Sequence, residues 1–304
     1  GMAAAVAPAY ELDLDECLDA AIAAAKEAGA LILAGAQGAL SFKVASKVGL
    51  DLVTDVDHKA EEVILGRLKP QFEPKGHLFI AEESESEHPL TDAPTWAVDP
   101  LDGTVNFCKG FPYSCVSIGL LHRRVAVVGV IYCPSSDELY TAVEGRGARL
   151  NGARIRCNDV ARLEDAMVLT NISANRNAKF LDATMRCFAA TMPGLGSVRS
   201  LGSAAMCMAY VARGYADAYW ELLVGGPWDF AAGEAILREA GGVLRALDGG
   251  AYDVMSRRVL CGVAPVVDIL ASRLKPVLDE VGDYADDDGG GAGGAGAADA
   301  SASS

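Results

Sequence analysis

A chain of 304 residues with 51% apolar content can bury a large core, as one big domain or as two packed subdomains. Its net charge of -15 argues against a nucleic-acid partner and requires that a cation meet any phosphorylated substrate. The apolar runs are strand-sized, Lys26 and Glu27 interrupt the alanine-rich start, and no basic n-region precedes an apolar h-region, so neither a membrane span nor a secretory leader is expected.

Gly1 and Met2 read as the remnant of a cleaved tag and carry no fold argument. From Asp15 to about Leu33, Leu18, Ile22, Ala25 and Gly29 recur at helical spacing. A second helix is predicted from Thr54, since Thr54 and Asp57 fit a capping box ahead of Ala60, Val63, Ile64 and Leu68. Five strand-like runs follow, HLFIAEE, TWAVD, SCVSIGLL, VAVVGVIYC and ELYTAV, several joined by hairpin-like turns. The second half predicts strands at AMVLTNI, SVRS, ADAYWEL and GGVLRAL. Its helices are expected near Lys179 to Ala190, at SAAMCMAYVARG, from about Pro227 to Ala240, and from Val266 to about Val281, the last kinked or ended early by Pro276. Sheets covered by helix pairs in alternating layers would bury all these faces. After about Tyr284, Gly, Ala, Ser and Asp without large apolar residues predict a disordered tail over 285–304.

Eight cysteines stand singly, without C-x-x-C or Cys/His pairing at zinc spacing, which predicts reduced thiols and a cytoplasmic protein. Cys108 and Cys115, flanking the stretch discussed next, read as small buried hydrophobes.

In VDPLDGT a strand is expected to end at Asp99, Pro100 fixes one backbone angle and Gly103 permits a tight turn, so that Asp99, Asp102 and the Leu101 carbonyl converge. Two carboxylates held close repel each other unless one is protonated or a cation intervenes, and oxygen-only ligands suit Mg²⁺. Three other acidic segments accompany it. Glu82 and Glu83 end an apolar strand, Asp229 sits at a helix start behind Pro227, and Asp57 lies in DLVTDVDHKAE. Each also fits an ordinary role: a polar turn, a solvated acidic loop, a helix-end charge, a cap.

Together, DLVTDVDHKAEEVI, FIAEES, WAVDPLDGTVNF and WDFAAGEAILREAGG resemble the motifs of the inositol monophosphatases, within the lithium-sensitive, Mg²⁺-dependent phosphatase superfamily; the resemblance spans about Asp15 to Val281. It implies an α/β (α+β) fold, a layered αβαβα sandwich of the sugar phosphatase type. One catalytic domain over 1–284 would comprise two tightly packed subdomains, approximately 10–160 and 161–284. By resemblance, Glu82, Asp99 and the Leu101 carbonyl bind one Mg²⁺, and Asp99, Asp102 and Asp229 a second. A third, weaker ion shares Glu82. Two such ions can clamp an in-line displacement. Thr104 orients or deprotonates the attacking water through Asp57, Glu83 is a supporting carboxylate, and the Gly103 and Thr104 N–H groups receive phosphate oxygens. Gly202, Ser203, Ala204 and Glu221 match the part that binds the alcohol half, with Asp102 and Asp229 alongside.

The chain departs from the family pattern in a loop one residue longer before Trp228, where Gly225, Gly226 and Pro227 stand, and in Ala81 where glycine is usual. Either Lys43 or Lys47 could approach the site. The implied reaction is hydrolysis of myo-inositol 1-phosphate by metal-activated water, with Li⁺ as inhibitor and a homodimer as the assembly. Fructose 1,6-bisphosphate, 3′-phosphoadenosine 5′-phosphate and other sugar phosphates are alternative substrates; Asn106 and Phe107 favour the inositol monophosphatase branch. Acid hydrolysis by a carboxylate pair is disfavoured because D-G-T is not the D-T-G of aspartic proteases. A non-enzymatic cation-binding protein is disfavoured by the complete set of acids.

Overall fold

The computed structural model describes residues 12–47 and 52–282. The expected tag remnant and the expected tail after Tyr284 lie outside the described residues. Asp13 caps α1 (Leu14–Ala36) by accepting from the Asp15 and Glu16 N–H groups. A hairpin, β1 (Val44–Ser46) with β2 (Leu52–Thr54), leads into α2 (Asp55–Phe72). That helix starts where the capping box predicts: Asp57 Oδ2 accepts from Thr54 N at 2.8 Å while Thr54 Oγ1 accepts from Val56 N at 3.1 Å.

Next come β3 (Leu78–Ala81), β4 (Thr95–Asp102), the short α3 (Thr104–Cys108), β5 (Cys115–His122), β6 (Val125–Cys133), β7 (Glu138–Val143), β8 (Ala148–Leu150) and β9 (Ala153–Arg154). The seven strands from β3 to β9 form one sheet in chain order, parallel at β3/β4 and antiparallel thereafter. The remaining elements are β10 (Met167–Thr170), α4 (Ala178–Thr191), β11 (Ser197–Arg199), α5 (Ala204–Ala212), β12 (Ala218–Glu221), α6 (Ala231–Glu239), β13 (Val243–Arg245), β14 (Val259–Gly262) and α7 (Ala264–Val281). Their five strands make a second sheet in the order β11-β10-β12-β14-β13, with β11, β10 and β12 mutually parallel.

The layers alternate as αβαβα. Helices α1 and α2 pack on β4, β5 and β6; α5 and α6 lie between the sheets; α7, with α4 beside it, covers the far face of the second sheet. Helix α6 comes unusually near the first sheet because Gly119 and Gly129 face it. A Cβ at Gly119 would lie 2.5 Å from Ala231 Cβ, and one at Gly129 2.3 Å from Ala232 O. The small residues of WDFAAGEA thus set the depth at which Asp229 enters.

Several boundaries differ from the sequence reading. The long helix expected from Pro227 is divided into a 3₁₀ turn, Pro227–Asp229, and α6. Pro276 does not end α7, which continues to Val281. The hairpins β1/β2 and β8/β9 and strand β14 carry no sequence signal, being too short, polar or isolated for a period of two to register. Strand β4 does not stop at Asp99 but runs to Asp102.

Candidate active site

That extension of β4 is irregular. Asp99 pairs with Ser117 and Asp102 with Cys115, so three steps on β4 face two on β5. On a regular strand, residues three apart point to opposite faces; the additional residue of a bulge reverses that alternation and turns both aspartates the same way. Pro100 has no N–H to lose there, and Leu101 N donates to Asp99 Oδ1 at 2.9 Å. Gly103 then takes φ +89°, and a Cβ on it would lie 2.9 Å from Tyr113 O, so both backbone angle and space require glycine.

Asp229 arrives from the 3₁₀ turn, where its Oδ2 accepts from Gly226 N at 2.8 Å. Ser117, opposite Asp99, holds the same turn by donating to Trp228 O at 2.9 Å. Asp99, Asp102 and Asp229, all buried, thereby bring carboxylate oxygens within 4.8 Å of one another. Burial first, then the charges of Glu82, Asp102 and Asp229, push Asp99 well above the usual carboxylate range. Asp229 is driven up by burial, Asp102 and Glu82. Asp102 also rises through burial, although Ser203 Oγ and Ala205 N donate to its Oδ2 at 2.6 and 2.7 Å. Such a group must hold protons or a cation, and its all-oxygen donor set fits a hard divalent ion.

Glu82 and Glu83 follow β3, whose carboxyl end lies beside that of its parallel neighbour β4. Lys47 donates to Glu82 Oε1 at 2.8 Å and to Glu83 Oε1 at 2.6 Å. It is therefore Lys47 that approaches the acids, while Lys43 is exposed at the hairpin. Burial and the Glu82 charge raise Glu83 to about 7 against the opposing effect of Lys47. Burial disfavours the Lys47 ammonium, but the two glutamates outweigh it and hold its pKa above the ordinary value.

Asp57 caps α2 and also reaches the bulge. Thr104 Oγ1 lies 3.1 Å from Asp57 Oδ1 and 3.0 Å from Leu101 O, either of which can accept its proton, while the Thr54 hydroxyl and N–H donate to Asp57 Oδ2. Burial raises Asp57, with the bonds from Thr54 acting in the opposite direction.

The second sheet supplies the remaining residues from the carboxyl ends of its parallel strands, the edge at which open α/β sheets place ligands. Gly202 and Ser203 precede α5, Ala204 is its first residue, and Glu221 ends β12. Ser203 caps α5, accepting from Met206 N at 3.3 Å, while its hydroxyl donates to Asp102. Glu221 Oε2 accepts from Tyr219 OH and, at 3.0 Å, from Asn171 Nδ2. Burial raises Glu221 to about 7 despite those bonds.

Sequence reasoning missed three supports here. Asn106 Nδ2 donates to Leu201 O and Tyr113 O, both at 2.8 Å. Asn171 joins Glu221 to the Leu201–Gly202 backbone. Arg257 clasps the loop before Trp228: its Nε donates to Val224 O at 2.8 Å, and Val224 N donates to Arg257 O at 3.0 Å. Gly226 in that loop lies under the Trp228 ring, where a Cβ would come within 2.5 Å of Cη2. Only Asn106 stood in a segment that drew attention.

Residues 13–276 match the model of the inositol monophosphatase family. Inositol monophosphatase 2 of Solanum lycopersicum is 42% identical over 265 residues, covering 86% of this chain and 98% of its own. The solved extragenic suppressor protein suhB of Bartonella henselae aligns with a TM-score of 0.78 at 34% identity, covering 86% of this chain and 98% of its own. Inositol monophosphatase II of Staphylococcus aureus, solved with inositol monophosphate bound, aligns with a TM-score of 0.72 at 25% identity, covering 87% and 96%.

Proposed function

The chain belongs to the inositol monophosphatase family and is a phosphatase, and we propose that its preferred substrate is myo-inositol 1-phosphate, hydrolysed with Mg²⁺ at the carboxylates of Asp99, Asp102 and Asp229. The observation that carries this reading is one buried acid group with a hydroxyl–carboxylate pair, Thr104 and Asp57, beside it. The Staphylococcus aureus relative with inositol monophosphate bound supports the substrate.

Asp99, Asp102 and Asp229, with Glu82 and the Leu101 carbonyl, would hold two to three ions. When bound, these supply the positive charge that an in-line displacement at phosphorus requires at both the entering and the leaving oxygen. Thr104 orients the attacking water: its Oγ1 accepts the water proton as its own passes to Asp57 Oδ1, which burial has made more basic than an ordinary aspartate. Glu83 is a supporting carboxylate beside Glu82, joined to it through Lys47. The N–H groups of Gly103 and Thr104 receive phosphate oxygens. Asp102, kept in position by Ser203 and the α5 N-terminus, lies between the phosphate and alcohol halves. Gly202, Ser203 and Ala204 line the alcohol side with their backbone, Asp229 borders it, and Glu221 accepts from a polyol hydroxyl.

Li⁺ would inhibit by taking the weakest cation position. We further infer two tightly packed subdomains, approximately 10–160 and 161–284, a homodimer and a cytoplasmic location. Among the described residues no helix is long and apolar enough to cross a membrane.

The test is phosphate release from inositol 1-phosphate, fructose 1,6-bisphosphate, 3′-phosphoadenosine 5′-phosphate and galactose 1-phosphate, with and without Mg²⁺ and Li⁺. Mg²⁺-dependent, Li⁺-sensitive preference for inositol 1-phosphate is expected. Preference for another member of the panel would overturn the substrate, and full activity after chelation would overturn the metal role.

A further inference from the structure

Asn171 lies directly after β10, and the sheet register says what its neighbours must be. Thr170 pairs with Trp220 of β12 and Leu169 with Arg199 of β11. One residue on in the first pair and two in the second, Asn171 is level with Glu221 on one side and Leu201 on the other. Because the three strands are parallel, this row crosses their carboxyl ends.

The amide uses this position fully. Asn171 Oδ1 accepts from Leu201 N at 3.1 Å and from Gly202 N at 2.9 Å, and Nδ2 donates to Glu221 Oε2 at 3.0 Å. An amide oxygen has two lone pairs, and both are taken. The orientation is forced, since a flipped amide would set NH₂ against two N–H donors and a carbonyl against a carboxylate. From the other side Asn106 Nδ2 donates to Leu201 O at 2.8 Å, so the Leu201 peptide groups are held at both N–H and C=O. Tyr219 OH adds its donation to the same Oε2 of Glu221, and no hydrogen bond within the described residues reaches Oε1. One carboxylate oxygen is thus anchored to the protein and the other is available to a hydroxyl donor.

We propose that Asn171 is a positioning residue for specificity: it fixes the Glu221 carboxylate and the Leu201–Gly202 backbone relative to each other, so that both meet the hydroxyls of a polyol leaving group. The inference rests on the reading of Glu221 and Gly202 as the alcohol side of the site. A core asparagine with a purely structural role would stabilise the fold and leave substrate preference untouched.

The experiment compares myo-inositol 1-phosphate with p-nitrophenyl phosphate, whose leaving group carries no ring hydroxyls to recognise. Wild type is measured first, and a protein that does not favour the polyol ester overturns the functional reading itself. Asn171→Asp keeps an acceptor for the two N–H groups but cannot donate to Glu221 and repels it; Asn171→Ala removes all of these bonds, together with the longer one from Nδ2 to Cys207 Sγ at 3.8 Å. Both are expected to lower the ratio of kcat/KM between the two esters about tenfold, through KM for the polyol ester and with kcat within about threefold. An equal loss on both substrates, an unchanged ratio, or failure of both variants to fold would overturn the proposal and leave Asn171 a structural residue.

Discussion

Asp99, Asp102, Gly103 and Thr104 lie within one turn of chain, and Asp57 reaches them from the first turn of the neighbouring helix. Leu201, Asn171 and Glu221 come from the ends of three strands and meet because two sheet registers agree. The acidic end of the site is therefore built locally, by a bulge and a left-handed glycine, whereas the alcohol end is built by topology. Local construction concentrates like charges in a small volume, so removing one charge should have a large effect on chemistry and an opposite effect on stability. Construction by register spreads hydrogen bonds over several elements, so removing one should shift preference more than rate.

The largest expected effect sharpens the first half of that contrast. Asp99→Asn should reduce kcat/KM by on the order of 10³-fold or more, since it removes a charge directed at the reacting group. The same change should raise the Tm of chelated protein, because Asp99 is buried among Glu82, Asp102 and Asp229 and its charge is uncompensated there. Each kcal/mol of relief corresponds to roughly 2 °C at this size. Differential scanning calorimetry in EDTA checks it; a lower Tm than wild type would mean that the acids are not in mutual repulsion.

A second, intermediate effect follows from proton linkage. Asp99, Asp102 and Asp229 all have folded-state pKa values raised above those of the unfolded chain. Above the ordinary aspartate value of about 4 the folded state therefore binds more protons than the unfolded one, and metal-free stability falls as pH rises. A divalent cation replaces those protons. The gain in Tm on adding saturating Mg²⁺ should accordingly be larger at pH 8 than at pH 5 by several degrees. A gain that is flat with pH, or larger at pH 5, would break the link between the acid cluster and cation binding.

The same contrast explains what could be read in the chain. D-P-L-D-G-T is legible because proline, glycine and two acids at that spacing are constrained within a few residues, and the capping box at Thr54 and Asp57 is equally local. Even there, the bulge that carries β4 on to Asp102 is not legible, since a strand is expected to end at Asp99, ahead of Pro100. The choice between Lys43 and Lys47 depends on where the β1/β2 hairpin brings Lys47, a tertiary matter. Asn171 gave no signal: it falls inside the expected strand AMVLTNI, where one polar residue is ordinary, and its partners are at least 30 positions away. Arg257 was silent for the same reason.

The smallest expected effect concerns Arg257, which tests whether the loop before Trp228 belongs to the topological half of the site. Arg257 occupies φ +59°, a region where a non-glycine residue is strained, and it is held there by the reciprocal bonds between its backbone and guanidinium and Val224. Arg257→Ala keeps the backbone bond from Val224 and loses the one from Nε, so the loop over Trp228 should loosen without releasing Asp229, which Gly226 N and the Ser117 bond to Trp228 still hold. KM for inositol 1-phosphate should rise about threefold with kcat within about twofold, the pattern of lost ground-state binding. The Tm should fall by a degree or two, in keeping with about 1 kcal/mol for one hydrogen bond. A fall in kcat as large as that in kcat/KM would instead mean that the strap acts through Asp229, and the loop before Trp228 would then belong with the acidic end of the site rather than with its alcohol pocket.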